Sequence, residues 1–266
     1  MSTQTQTASG RPGSVALLLR QVRFTNKAFW RNPASAFFTF AFPLMFLVIF
    51  TALLGNGEVL INGKLVKETT YYVVAMAAFA VITACYTNIA ISVTFQRDAG
   101  ILKRSRGTPM PGWGYLTGRV IHAMLMALIL VAITAVFGKL FYDASIPHGI
   151  TLVRFLVMLV VGAASFCALG LAVTAIIPNA DASPAVVNAT ILPLLFLSGV
   201  FIPLGDNAPT WIVWVGRIFP VKHFLDGMRA GFLGTPFKWS DVLYVALWGV
   251  AGLLLAARFF TWEPRR

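Results

Sequence analysis

Apolar residues in this chain come in long uncharged blocks. Residues 34–54, 70–95, 120–138, 155–177, 182–203 and 242–257 contain no Asp, Glu, Lys or Arg. A bilayer hydrocarbon core about 30 Å thick takes about 20 helical residues to cross. The first five blocks reach or approach that length unaided, and the sixth reaches it with its flanks, Trp239 to Phe260. The pattern predicts an all-α polytopic membrane protein with six transmembrane helices, over 34–54, 70–95, 118–139, 153–177, 183–204 and 239–260. Short links use the remaining residues, so 33–266 reads as one membrane domain with no second globular unit.

The segments between the blocks carry their own periodicities. Residues 1–13 are rich in Ser, Thr, Gln and Gly, a composition that predicts a disordered tail. Over 14–32, Arg20, Arg23, Lys27 and Arg31 recur every three or four residues, and Leu18, Val22, Thr25 and Phe29 do the same on the opposite face. That is an amphipathic helix lying in the membrane interface, cations toward lipid phosphates or an acidic partner, Phe29 and Trp30 toward the acyl chains. Asn32-Pro33 ends it. Residues 55–69 hold the turn signals Gly55-Asn56-Gly57 and Asn62-Gly63, compatible with a small hairpin. In the loop after the second block, Ile101, Leu102 and Ser105 form a short neutral stripe among Lys103, Arg104 and Arg106, and Pro109 and Pro111 stop any helix. Residues 204–238 are too apolar for an ordinary loop. Pro209 and Pro220 each suit the first turn of a helix, and the Trp and Phe content of 209–232 predicts a re-entrant pair entering the outer leaflet between spans five and six.

Composition strengthens this picture. Charged residues make up 11% of the 266, hydrophobic residues 58%, and the mean hydropathy is +0.78, against about 25% charged in a soluble domain. The net charge of +12 is unevenly distributed. With the N-terminus inside, inner segments hold thirteen Lys and Arg and three acids, and outer segments hold eight and six. Because inner loops accumulate Lys and Arg, both termini are expected to be cytoplasmic in a bacterial plasma membrane. The basic surplus fits anionic lipid headgroups. It does not fit nucleic acid, since no basic stripe interleaves with exposed aromatics. The two cysteines, Cys85 and Cys167, fall within spans and read as small core residues.

Catalytic chemistry is missing. The chain has no GxxxxGK[ST], GxSxG or HExxH sequence, and His122, His148 and His223 have no His or Cys at ligand spacing, so neither a metal site nor an enzyme active site is expected. The spans also lack the mid-depth ionisable groups of proton relays. What they offer is neutral polarity: Thr83, Tyr86, Thr87, Asn88 and Ser92 in the second span, then Thr174, Asn188, Thr190 and Ser198. Individually these suit interhelical hydrogen bonds. As a set, Thr83, Tyr86, Thr87, Asn88, Asn188 and Ser198 are candidates to line a path for an amphipathic substrate.

The run Gln96-Arg97-Asp98-Ala99-Gly100-Ile101-Leu102-Lys103-Arg104-Ser105-Arg106-Gly107-Thr108-Pro109 resembles the acidic-Arg-acidic-x-Gly-Thr-Leu-x-Arg-Leu-Arg-x-Thr-Pro loop of type-2 ABC exporter permeases. It departs from it at Gln96, Ile101 and Ser105. Leu197-Ser198-Gly199-Val200-Phe201-Ile202-Pro203-Leu204, Pro220, and His223 to Arg229 agree with the same family, and the tail Arg258 to Glu263 resembles daunorubicin-resistance permeases. The resemblance implies a half-transporter that pairs with a second permease and docks on a cytoplasmic ATP-binding subunit, which would bind the ATP and Mg. It implies that 97–109 is a coupling helix, with Arg97, Asp98, Gly100, Leu102, Arg104, Arg106, Thr108 and Pro109 as its contact residues. It also implies an outer gate at 209–232 formed by Trp211, Trp214, Pro220, His223, Phe224, Asp226 and Arg229. The expected activity is export of hydrophobic or amphipathic substrates, drug or lipid. Polysaccharide or teichoic-acid export by the same fold and a non-transporting structural subunit are the alternatives.

The charge distribution predicts topology directly. A cysteine placed at Asn62 or Asn207 reacts with an impermeant maleimide from outside the cell, and one at Ser105 reacts only after permeabilisation. The opposite pattern would reverse the orientation.

Overall fold

The structure, a computed structural model, describes residues 14–55, 57–61, 64–107, 112–144, 146–203 and 209–264. The predicted tail, and Thr108 and Pro109 of the predicted coupling helix, lie outside the described residues. Helix α1 (Ser14–Trp30) leads into α2 (Pro33–Leu54), a small antiparallel hairpin of β1 (Glu58–Ile61) and β2 (Lys64–Lys67), and α3 (Glu68–Ile82). A π turn over Thr83–Thr87 joins α3 to α4 (Asn88–Asp98), and the short α5 (Ile101–Arg106) follows. Then come α6 (Gly112–Tyr142), α7 (Ile150–Val173), α8 (Ser183–Leu197), α9 (Thr210–Ile218), α10 (Pro220–Leu233) and α11 (Trp239–Phe259). Among the described residues the fold is all-α apart from that hairpin, whose register pairs Glu58 with Lys67 and Ile61 with Lys64.

Among the described residues, five helices are long and apolar enough to cross a bilayer: Ala36–Leu54, Glu68–Asp98, Gly112–Tyr142, Ile150–Val173 and Trp239–Phe259. The segment predicted as a fifth span over 183–204 forms a shorter helix, Ser183–Leu197, roughly 22 Å long at 1.5 Å per residue. It stops because Gly199 takes a left-handed backbone, φ 75°, which a residue with a Cβ adopts only with strain. Val200 and Phe201 then turn inward, and Phe201 packs against Phe46, Phe50 and Phe79.

Helix α3 is the centre. Every residue from Thr70 to Ile82 is buried, as suits a helix that is hydrophobic on all sides. Helix α2 is peripheral, with Phe37, Phe38 and Leu53 more than 60% exposed. Such surfaces suit lipid and leave little hydrophobic drive between helices, so close packing has to hold the bundle together. Glycines provide it. A methyl group on Gly170 of α7 would lie 2.7 Å from the Tyr86 carbonyl oxygen, and one on Gly249 of α11 would lie 2.8 Å from Ser165 Cβ. Helix α10 runs antiparallel to α7 in a continuous register. Phe224 sits by Gly162 and Phe166, Gly227 by Met158, and Gly231 and Phe232 by Phe155. Gly227 and Gly231 thus form a G-x-x-x-G face.

At the opposite end of α7 an arginine ties three elements. Arg97, the next-to-last residue of α4, is 1% exposed. Its guanidinium donates to the carbonyls of Thr174 (3.1 Å), Ile177 (2.9 Å) and Pro178 (3.3 Å) and to Asp98 Oδ1 (3.1 Å). Asp98 Oδ2 in turn accepts the Ala180 N–H at 2.5 Å. Arg97 therefore satisfies carbonyls that the end of α7 leaves open, where a cation also meets the favourable end of the helix dipole.

Gly231→Leu drives a side chain into the Phe155 backbone and is expected to cost about 1–3 kcal/mol through overpacking, read as a lower midpoint for loss of the monodisperse detergent-solubilised peak on heating. Arg97→Ala removes the donor from the carbonyls past α7 and from Asp98 Oδ1, leaving Asp98 only its Ala180 contact, and is expected to cost a similar ~1–3 kcal/mol. Arg97→Lys does not restore it, because an ammonium cannot reach all of these acceptors at once.

Candidate functional site

One end of the bundle gathers α1, α5, the α7–α8 link and the C-terminal segment. The helix ending at Asp98 stops at Ala99. Gly100 then adopts φ 69° and reverses the chain into α5. Leu102 is fully buried and anchors α5, while Ile101, Lys103 and Arg104 are exposed. Arg104 donates to the Ala99 (3.1 Å) and Gly100 (3.4 Å) carbonyls, closing the end of α4. Lys103 lies 3.6 Å from Glu263, both about two-thirds exposed, a pair worth little in water. The helix expected over 97–109 is thus Ile101–Arg106 in the described residues. Arg97 and Asp98 are not on its outer face: they belong to α4 and point inward, because the unpaired carbonyls after α7 attract the guanidinium. Gly100 serves as the pivot. For Arg106 only the helical backbone is described.

Helix α1 lies against the start of α6, so tightly that a methyl group on Gly118 would sit 2.6 Å from Gln21 Cγ. Arg20, Arg23 and Lys27 are exposed, and Leu18, Val22, Thr25 and Phe29 face the protein, the two-faced arrangement read from the spacing. Phe29 does not turn toward lipid as expected. Its ring meets His122 (5.8 Å) and Phe40 (6.3 Å), because α6 and α2 close over that face. Trp30 remains exposed, stacked on Phe40 with its indole N–H donated to Asn26 (3.1 Å). Arg31 is exposed just beyond the helix.

The neutral polar residues expected to line a path do not converge. Thr83, Tyr86 and Thr87 belong to the π turn, with Asn88 directly after it. Such turns recur at functional sites. Thr83 returns its hydroxyl to the Phe79 carbonyl (2.8 Å). Tyr86 meets Thr190 of α8 at 2.8 Å. Asn188, by contrast, is exposed on an α8 face shared with Pro184, Leu192 and Phe196, about a turn of helix apart. Ser198 is buried at the far end beside Gly199. No single surface joins these groups within the chain, because the residues lie at different depths and on different helix faces.

The far end is organised by α9 and α10. Gly199's carbonyl accepts both the Tyr71 hydroxyl (2.5 Å) and the Arg229 guanidinium (2.8 Å). Arg229 also lies over the Tyr71 ring, 4.1 Å from its centre, and 3.6 Å from Asp226, which pairs with Lys222 at 3.0 Å. His223 Nδ1 is 2.7 Å from Asp241 and Nε2 is 2.9 Å from the Arg217 carbonyl. Each ring nitrogen thus faces an oxygen acceptor, one on α11 and one on α9. The ring stacks on Tyr244 at 4.5 Å. Thus His223 and Arg229 tie α10 to its neighbours, Asp226 pairs with Lys222 and Arg229 along α10 itself, Phe224 and Pro220 are buried, and Trp211 and Trp214 are more than 60% exposed. Tyr71 and Asp241 are not among the residues singled out by sequence, and Gly199 appears there only within the run 197–204, with no role of its own. Gly199 in the Ser198-Gly199 pair between an apolar block and Pro203 was the available signal.

Comparisons with known proteins agree with this architecture. The profile of the ABC-2 type transporter family matches residues 16–233, from α1 through α10. The chain is 24% identical over 196 residues to the "Probable multidrug ABC transporter permease YbhR" of Escherichia coli (strain K12), covering 73% of this chain and 52% of that protein. It therefore spans about half the length of YbhR. It is 26% identical over 220 residues to the "Inner membrane transport permease YadH" of the same organism, covering 80% of this chain and 79% of that protein. With the "Putative transport permease YvfS" of Bacillus subtilis (strain 168) the identity is 21% over 226 residues, covering 85% and 89%. A multi-pass helical membrane chain matched by this family over most of its length, from α1 to the last turn of α10, is a member of the ABC-2 type transporter family.

Proposed function

We propose that this chain is the transmembrane permease subunit of an ATP-driven exporter. It moves hydrophobic or amphipathic molecules, drug-like or lipid, out of the cytoplasm or the inner leaflet of a bacterial plasma membrane. In this reading the chain crosses six times, with Ser183–Leu197 as the fifth crossing, α1 as an interfacial elbow, α9 and α10 as a re-entrant pair, and both termini cytoplasmic. The observation that carries it is α5, a short basic helix exposed at one end of the bundle. Its foot, Leu102, is buried, and its base is tied through Gly100 to Arg97 and so to α7 and α8. A partner that pushes α5 pushes the central helix with it.

The chain carries no phosphate-cradling motif, so ATP and Mg belong to a separate cytoplasmic subunit docking on Lys103 and Arg104, with Arg20, Arg23 and Lys27 of the elbow beside lipid or that subunit. A second permease copy, identical or homologous, completes the seam. The exposed Asn188 face of α8 supports that pairing, since a polar side chain on an apolar helix gains a partner there. The name of YbhR supports a multidrug substrate class. Trp30, Trp113, Trp211, Trp214 and Trp239 are all exposed near helix ends, where interfacial anchors sit. They do not form the continuous aromatic track a glycan would follow.

The test is co-expression with candidate ATP-binding subunits, followed by copurification and ATPase assay in lipid. Lys103→Glu with Arg104→Glu is expected to lower subunit association and permease-dependent ATPase by about tenfold, or ~1.4 kcal/mol, while the permease keeps its monodisperse elution. Unchanged association and ATPase would remove α5 from the docking face.

A further inference from the structure

We infer that each copy of the chain holds, within itself, a binding site for an uncharged single-chain amphiphile that presents one hydrogen-bond donor. A cavity of about 400 Å³ lies between the π turn, α7, α8, α11 and the α9–α10 turn. That volume is in the range of small-ligand pockets, about 300–1,000 Å³. Its walls are apolar: Phe166, Ala172, Ile191, Leu194, Phe219 and Trp248. At its rim Ile176 and Leu255 are 64% and 49% exposed on the outside of the bundle, so a chain in the surrounding bilayer has a sideways entrance. None of its lining residues is Asp, Glu, Lys, Arg or His. A charged head would lose its hydration with nothing to replace it.

The lining holds three polar side chains: Trp248, whose indole N–H is donated to the Ile218 carbonyl at 3.0 Å, and the hydroxyls of Tyr86 and Thr190, whose bonding sets the ligand's polarity. Thr190 Oγ1 lies 2.8 Å from the Val187 carbonyl and 3.1 Å from that of Val186. A carbonyl can only accept, so the single Thr190 hydroxyl hydrogen goes there. With the hydrogen so placed, Tyr86 donates in the 2.8 Å contact with Thr190, a contact in which either oxygen can be the donor. The Tyr86 oxygen keeps its lone pairs, and the pocket's remaining hydrogen-bond capacity is acceptor capacity. An alcohol O–H satisfies it, and a plain alkane leaves it unused. The π turn that holds Tyr86 in this position packs against Gly170 of α7, where no larger residue fits behind it. The site goes beyond the transport reading, because it needs neither a second copy nor an ATPase.

The experiment uses the full chain in phosphatidylcholine nanodiscs and a long-chain alcohol carrying a mid-chain diazirine and a terminal alkyne. After photolysis, adducts are mapped by peptide mass spectrometry. Saturable adducts are expected on the cavity walls, displaced by hexadecanol at several-fold lower concentration than by hexadecane. Ala172→Trp and, from the opposite wall, Ile191→Phe fill the space and are each expected to reduce saturable labelling at least tenfold. Tyr86→Phe keeps the volume and is expected to erase the advantage of hexadecanol over hexadecane. Adducts spread without saturation over the lipid-facing surface, or saturable labelling unchanged in both Ala172→Trp and Ile191→Phe, would overturn the site. Equal competition by alcohol and alkane in the unmodified chain would overturn the donor requirement.

Discussion

Close approach of helix backbones at glycine is the constraint on which this bundle depends. Lipid tails are as apolar as the leucines that face them, so burying leucine against leucine gains little here, and dispersion at short range has to hold the helices together. Helix α7 concentrates that packing. Gly162 receives Phe224, Gly170 receives the Tyr86 carbonyl, and Ser165 meets Gly249. Three neighbours are therefore located against one rod. The cavity beside Tyr86 arises where the same rod meets α8 without such contacts, and the longer side chains on either side leave space between them.

Two buried arginines fix the ends. Arg97 meets three backbone carbonyls and Asp98, and Arg229 meets the Gly199 carbonyl, the Tyr71 ring and Asp226. A buried guanidinium is costly unless acceptors meet it, and in both places those acceptors come from a chain reversal: the residues after α7 at one end, and Gly199 at the other, where Arg229 Nε is left without a hydrogen-bond partner. The charges thus define where the chain turns. Their sequence neighbours, Asp98 and Asp226, temper the charge and complete the contacts.

The membrane blocks, the amphipathic α1 and the helices after Pro209 and Pro220 were legible in the sequence, because each depends on local periodicity and on proline or charge at its ends. The inner loop was legible in place but not in orientation. Arg97 and Arg104 look alike in a basic run, yet one reaches carbonyls eighty residues away and the other those five residues back. Phe29 was misread for the same reason, since its cover comes from α6 and α2. The shortening of α8 depends on a left-handed Gly199 whose carbonyl serves Tyr71 and Arg229, partners 128 and 30 residues distant. The path residues shared a chemical type, and chemical type alone does not fix depth or helix face.

The run from Glu68 to Asp98 has a mechanical consequence. It is a single rod of 31 residues, roughly 46 Å long, clamped at one end by Arg97 and in contact at the other, through Tyr71, with Gly199 and Arg229. A rod held this way transmits torque with little backlash. Its one compliant segment is the π turn, where the hydrogen-bonding register is already loosened by a residue. Twist applied at the base would therefore be absorbed first at mid-length, beside Tyr86, and only the excess would reach the far end.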